Sequence, residues 1–305
     1  MRSSSLQIRR SLIDLTDLNG DDLQYVFERT ADFERTPPGK LLEGITCVNT
    51  FFEESTRTFT SFNLAELRLG ADVVNLSPRD LSLAKGETIE DTAISLGAMG
   101  VDVLVVRHPE DGFPQRLGAV FDGHVINAGD GAHAHPTQAL LDMYTLIEEF
   151  DGLRGRTVAI VGDVAHSRVA HSLIAGLKRA GAEIVLVGPP GFLPDDYAGR
   201  GVRVERNFDA VLPEADGIVL LRIQRERFES MPLSDAEYVR DYRLDADRLK
   251  KIRDDAVILH PGPYNRGMEL DDCVLDFAGW RYAKQVRHGI PIRMAVLDFL
   301  VHGRR

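Results

Sequence analysis

Short apolar runs rich in leucine and β-branched residues recur along this chain between longer segments of helical periodicity, and that alternation limits the folds open to it. The runs are GITCVNTFF, ADVVNLS, VDVLVVRHP and HVINAG, then RTVAIVGD, AEIVLVGPP, VRVERN, DGIVLLRIQ and DAVILHPGP. Each has the length of a strand. Several lack apolar–polar alternation, as strands buried on both faces do. Between them, TRTFTSFNLAELRLG sets Phe59, Phe62, Ala65 and Leu69 on one helical face and stops at Gly70. GETIEDTAISLGAMG, PTQALLDMYTLIEEF and SRVAHSLIAGLKRAG also read as helices. The expected fold class is α/β, built on mainly parallel β-sheets flanked by helices.

At 305 residues the chain is long enough for two domains. The pattern restarts near residue 150, where EEFDGLRGR breaks two periodic segments with charge and glycine. The expected division is 1–149, 150–285 and a closing segment, 286–305, whose apolar helix PIRMAVLDFLVHG opens at Pro291, where a missing N–H does least harm. A formal net charge of -11 argues against nucleic-acid or anionic-membrane binding, since affinity for phosphate backbones needs an excess of Lys and Arg. An anionic ligand must then find a local basic pocket. Cys47 and Cys273 suggest neither a disulfide framework nor a zinc site. The opening MRSSSLQIRRSLIDLTDLNGDD has no apolar run for a signal peptide, and no later run is long enough to span a membrane. A cytoplasmic protein is expected.

In open parallel sheets, ligands bind outside the carboxyl ends of the strands. After GITCVNTFF come Ser55, Thr56, Arg57 and Thr58, where a helix should begin. Free N–H groups, the helix dipole, hydroxyl donors and a guanidinium fork suit a phosphate there, while a serine N-cap with solvated neighbours is the plainer alternative. Arg107 ends the VDVLVV run, and His135 precedes Pro136, Thr137 and Gln138. Both point to the same strand-end face, although a loop histidine taken alone is more often structural than catalytic. His133 and His135 lack acidic or cysteine partners in sequence, so no metal is expected. In the second half, VAIVGDVAHSRVAHSLIAGL has the strand, turn and helix of a nucleotide site. It lacks G-x-G-x-x-G, however, and Arg168 stands where such a site needs glycine, so no dinucleotide cofactor is expected. Arg168, Arg222, Gln224 and the Pro261-Gly262-Pro263 turn compose a second anion-directed set, unless the arginines are solvated surface residues.

The segments FFEESTRTFTSF, KGET, RHP, HPTQALLD, RIQRER and HPGPYNRG occur in this order over most of the chain. Together they resemble the catalytic chains of the aspartate carbamoyltransferase family. The resemblance implies a carbamoyl phosphate domain, then an aspartate domain, with the C-terminal helix returning to the first domain. It implies transfer of a carbamoyl group from carbamoyl phosphate to L-aspartate, the committed step of pyrimidine (UMP) biosynthesis, without a cofactor. By resemblance, Ser55, Thr56, Arg57 and Thr58 grip the phosphate; Thr58, Arg107 and His135 polarise the carbonyl oxygen; Gln138 holds the carbamoyl amide. Ser82 and Lys85 match residues sent into a neighbouring subunit's site, which implies a homotrimer or a dimer of trimers. Arg168, Arg222, Gln224 and the neighbour's Lys85 receive the aspartate carboxylates, and backbone carbonyls around Pro261 and Gly262, before Pro263, orient its amino group. Glu53 and Arg227 match positions that bridge the domains on closure. Members of the family occur as free trimers, with separate regulatory chains, or in complexes with dihydroorotase. The NRG of residues 265–267 resembles forms without a regulatory chain.

Ornithine carbamoyltransferase is the nearest rival. That family usually has HPCQ and HCLP where this chain has HPTQ and HPGP, and it lacks the R-x-Q pair of Arg222 and Gln224. Two arginines suit a dicarboxylate and repel a cationic amino acid. A non-catalytic relative would have lost some of these polar positions, and none is evidently lost.

Overall fold

Strand pairing is parallel within two separate sheets of the computed structural model, which describes residues 11–80, 86–193, 197, 201–228 and 231–304. In the first sheet, β1 (Thr46–Phe51) lies between β2 (Asp72–Leu76) and β3 (Val103–His108), and β4 (His124–Asp130) follows β3. The helices that precede the second sheet in the chain are α1 (Gly20–Arg35), α2 (Thr56–Leu69), α3 (Ile89–Ala98), α4 (Phe113–Val120) and α5 (Pro136–Phe150). In the second sheet, β5 (Thr157–Val161) lies between β6 (Glu183–Val187) and β8 (Gly217–Leu220), with β7 (Arg203–Glu205) and β9 (Val257–Leu259) at the edges. Its helices are α6 (Arg168–Ala180), α7 (Phe208–Val211), α8 (Asp235–Tyr242) and α9 (Ala246–Leu249), and α10 (Tyr282–His302) closes the chain. The structure is thus α/β with two parallel sheets flanked by helices. No helix among the described residues is long and apolar enough to cross a membrane.

Two compact units result. One runs through Thr137 and takes the chain back from Gly289 onward; the other is Gln138–His288. The first has a core that includes Val48, Leu104, Val106, Leu117, Phe121 and Val125. The second packs Ala159, Val161, Val185, Phe192, Phe208 and Tyr238. The apolar runs without alternation are buried strands: β8 and β9 along their length, and β5 from Val158 onward.

The closing helix differs from its sequence expectation: α10 begins at Tyr282 and carries Pro291 in its interior. Proline there gives no N–H to the carbonyl of Arg287, a fault that costs about 3 kcal/mol in an ordinary helix. Packing within the first unit offsets it. Ile292, Ala295 and Leu297 are fully buried, the Arg293 guanidinium lies 4.9 Å from the Phe62 ring centre, and Asp298 binds Arg29 at 2.8 Å.

Glu66 fixes α2 against the sheet. Its carboxyl is wholly buried and accepts from Asn49 Nδ2 on β1 at 2.7 Å. Burial pushes its pKa up to about 8, against the lowering effect of the Asn49 bond. In the unfolded chain the same carboxyl ionises near its ordinary value of 4.5. The stability contributed by the protonated form is therefore complete below that value and is lost as pH rises through the folded pKa. Urea midpoints should fall from pH 5 to pH 8 in the parent chain, and Glu66→Gln should flatten that slope. Equal slopes for the two proteins would show that Glu66 does not titrate with folding.

Candidate active site

Topology already selects two places. The first sheet, in order β2-β1-β3-β4, reverses direction between β1 and β3, and the second, in order β7-β6-β5-β8-β9, reverses between β5 and β8. At such switch points the connections leave on opposite sides and open a crevice beyond the carboxyl ends.

In the first unit the crevice is furnished from β1, β3 and the loop after β4. Ser55 sits at the N-cap of α2, but its hydroxyl makes no capping bond. By contrast, the N-caps Asn19, Thr88, Ser167 and Ser234 each accept from their own first turn. The first-turn N–H groups of α2 are therefore not taken up by Ser55, and the exposed side chains of Thr56 and Arg57 stand beside them. Thr58 is buried, with Oγ1 3.5 Å from His135 Nε2. Arg107 is fixed at its root: Nε lies 3.3 Å from Glu53, and the guanidinium donates to the Ala128 carbonyl at 3.4 Å. Glu53 thus contacts Arg107 inside the first unit. Ser82 and Lys85 lie outside the described residues.

The loop that delivers His135 is organised by a residue the sequence reading did not single out. Asp130, fully buried at the end of β4, accepts from Asn127 Nδ2 at 2.7 Å, Gly112 N at 2.7 Å and Ala134 N at 3.0 Å. His133 Nδ1 lies 3.0 Å from the same carboxylate. The two histidines of HxH therefore have different surroundings, His133 against Asp130 and His135 against Thr58. The turn from Asp130 into His133 requires glycine: at Gly131, with φ +41°, a Cβ would sit 1.7 Å from Asp111 Oδ1. The only sequence signal for Asp130 was its place at a strand end.

In the second unit, Arg168 is the first residue of α6, behind its cap Ser167. Asp163, fully buried just after β5, ties this turn to the end of β8. It accepts from Gln224 N at 3.1 Å and lies 2.8 Å from His166 Nδ1. Burial raises its pKa, and His166 opposes that rise. Arg227 donates to the His166 carbonyl at 2.7 Å, so within this unit it braces the same turn. Arg222 binds Gln224 Oε1 at 2.9 Å and pairs with Glu226. Burial works against the ionised Glu226, but the Arg222 bond and charge prevail and hold its pKa below the usual range. The second cluster already receives one carboxylate on Arg222. At the end of β9, Gly262 takes φ +68°, followed by a cis peptide bond to Pro263, and Gly262 N donates to His260 Nδ1 at 2.9 Å. Gln138 belongs to this unit and donates to Asp142 at 2.8 Å.

Fold and clusters together define a two-unit parallel α/β protein with arginines and polar side chains gathered at each switch point. Residues 10–148 match the model of the aspartate/ornithine carbamoyltransferase carbamoyl-P binding domain, and residues 154–300 match the Asp/Orn binding domain of the same family. The chain belongs to the aspartate/ornithine carbamoyltransferase family. Similar proteins include the aspartate carbamoyltransferase catalytic subunit of Acidothermus cellulolyticus, 47% identical over 96% of this chain and 93% of that one. That of Frankia casuarinae is 46% identical over 97% and 95%. Among solved structures, aspartate transcarbamoylase from Trypanosoma cruzi in complex with carbamoyl aspartate and phosphate superposes with a TM-score of 0.87 at 32% identity, covering 95% of each chain. The catalytic subunit of the M. jannaschii enzyme gives 0.84 at 32% identity, covering 96% of this chain and 98% of that one.

Removing the Asp130 carboxylate leaves the N–H groups of Gly112 and Ala134 without it in a buried place. Asp130→Ala should cost on the order of 3 kcal/mol, read as a lower urea midpoint together with loss of whatever activity needs His135. An unchanged midpoint would mean that the loop is held by other contacts.

Proposed function

We propose that this protein transfers the carbamoyl group of carbamoyl phosphate to the α-amino group of L-aspartate, giving N-carbamoyl-L-aspartate and phosphate, the reaction that commits material to pyrimidine synthesis. The observation that carries the reading is the presence of one anion-directed cluster at the switch point of each sheet, the first suited to a phosphate and the second to carboxylates. The ligands named for the Trypanosoma cruzi relative, carbamoyl aspartate with phosphate, support the same pair of substrates.

In this reading Ser55, Thr56 and Arg57, with the amino end of α2, hold the phosphate. The neutral amine of aspartate attacks the carbamoyl carbon, and charge develops on the carbonyl oxygen and on the leaving phosphate. Thr58, Arg107 and His135 meet the oxygen. The closeness of Thr58 to His135, and the Glu53 and Ala128 contacts of Arg107, support donors set in place before charge appears. Preorganised donors of this kind are worth about 10²–10³ in rate each. Gln138 accepts from the carbamoyl –NH2 group. The departing phosphate takes the amine proton, so no protein base is required. Arg168, Arg222 and Gln224 receive the aspartate carboxylates, and the Glu226 carboxylate on Arg222 supports that role. The carbonyls of Pro261 and Gly262, ahead of Pro263, orient the amine.

The assembly belongs to the same reading: a homotrimer in which Ser82 and Lys85 enter a neighbour's site. Apolar surface on the first unit supports self-association. Leu67 on α2 is 59% exposed, and Val74 on the edge strand β2 is 43% exposed, an arrangement that a partner chain would cover. Two free cysteines, one of them buried, are in keeping with the cytoplasm.

Phosphate release should occur with L-aspartate and not with L-ornithine; release with ornithine alone would reassign the second cluster. Arg57→Ala should lower kcat by about 10²-fold or more, and more than a tenth of parental turnover would refute its role on the phosphate. Arg222→Ala should raise the aspartate KM about tenfold, the equivalent of about 1.4 kcal/mol, with the carbamoyl phosphate KM little changed. Trimers mixed from Arg57→Ala and Lys85→Ala chains should regain activity through hybrid sites. Verified mixed trimers that stay inactive would rule out sharing.

A further inference from the structure

Gln138 is the first member of a buried hydrogen-bonded string. Its Nε2 donates to Asp142 Oδ1 at 2.8 Å, one turn further along α5. The same oxygen accepts from Gln285 Nε2 on α10 at 2.6 Å. Gln285 Oε1 accepts the backbone N–H of His260 at 3.1 Å, and His260 Nδ1 accepts from Gly262 N. Gln138, Asp142, Gln285 and His260 are all buried, Asp142 completely.

A carboxylate offers only acceptors, whereas a primary amide can present either face. Asp142 therefore fixes the direction of both glutamines: each turns its –NH2 group toward the carboxylate and its carbonyl oxygen away. For Gln138 this leaves an acceptor for the carbamoyl –NH2, which is itself a donor. A flipped amide would set donor against donor. For Gln285 it leaves an acceptor for His260 N, at the head of the turn whose Pro261 and Gly262 carbonyls take the aspartate amine. We propose that Asp142 and Gln285 are positioning residues for both substrates, one buried carboxylate setting the amide direction of Gln138 and, through Gln285, the seat of the His260–Pro263 turn. The inference rests on the carbamoyl-transfer reading above.

The alternative is that the string merely pins α5 to α10. That role would move stability without moving substrate parameters. Asp142→Asn keeps the size but removes the all-acceptor character: its own amide can turn Nδ2 toward the glutamines and reverse the string, so the direction is no longer fixed. It should lower kcat/KM for carbamoyl phosphate about tenfold and raise the aspartate KM about threefold or more, with a native circular dichroism spectrum. The paired variant Asp142→Asn/Gln285→Glu moves the carboxylate from α5 to α10 and restores a consistent order: the new amide accepts from Gln138 and donates to the new carboxylate, which still accepts from His260 N. It should recover about threefold or more of the loss.

Parameters within about twofold of the parent for Asp142→Asn, or a natively folded paired variant no better than the single one, would overturn the proposal. Should Asp142→Asn fail to fold, Gln285→Leu removes only the His260 arm. It should raise the aspartate KM while leaving that for carbamoyl phosphate unchanged, and an unmoved aspartate KM would overturn the proposal as well. The parent chain assayed alongside separates the two levels of the argument. A parent that makes no carbamoyl-aspartate overturns the carbamoyl-transfer reading and this inference with it, whereas an active parent with unshifted variants overturns this inference alone.

Discussion

Beyond the carboxyl end of a parallel strand the backbone has left its ladder, and its N–H groups need partners in a place that is still partly buried. In this protein buried aspartates take them up. Asp130 at the end of β4 collects the N–H groups of Gly112 and Ala134, and Asp163 after β5 collects that of Gln224. Each spans two loops that are distant in sequence, so the loops keep a fixed spacing while their outward side chains remain available to a ligand. His135 and the Arg222–Gln224 pair depend on this arrangement. Loops held only by solvent would place the same side chains less sharply, and electrostatic catalysis loses much of its force when donors must reorganise as charge develops.

The charge distribution follows the same logic. A chain of net charge -11 does not attract anions in general, and its arginines at the strand ends are matched with nearby carboxylates: Arg107 with Glu53, Arg222 with Glu226. Such pairing keeps each guanidinium oriented and limits the cost of partial burial. On the proposed function, selectivity for small anions then comes from geometry at the switch points rather than from a broad basic surface.

The alternation of apolar runs and amphipathic segments was enough to read the fold, because period and end signals are local properties. Gly70 takes the left-handed conformation expected where α2 stops, and α5 spans the segment PTQALLDMYTLIEEF. Where local and tertiary terms disagree, the sequence misleads. Pro291 marks a helix start by its missing N–H, yet it lies within α10 because the buried residues that follow it outweigh one absent bond. The outward members of the candidate site stood out in the sequence because arginine, histidine and hydroxyl clusters at strand ends are chemically conspicuous. The buried aspartates were not, since Asp130 and Asp163 in sequence look like any acidic residue in a turn.

Asp142 shows where legibility stops. Its spacing of four from Gln138 puts both on one helical face, which a sequence can reveal. Gln285 is 143 residues from Asp142, and no periodicity links them. What joins them is the path of α10, whose start at Tyr282 was itself hidden behind the Pro291 signal. Candidate ligand contacts can be picked out from chemistry alone, but candidates for fixing a ligand's direction emerge only once the long-range packing is known, because a hydrogen bond's polarity belongs to the network and not to the residue.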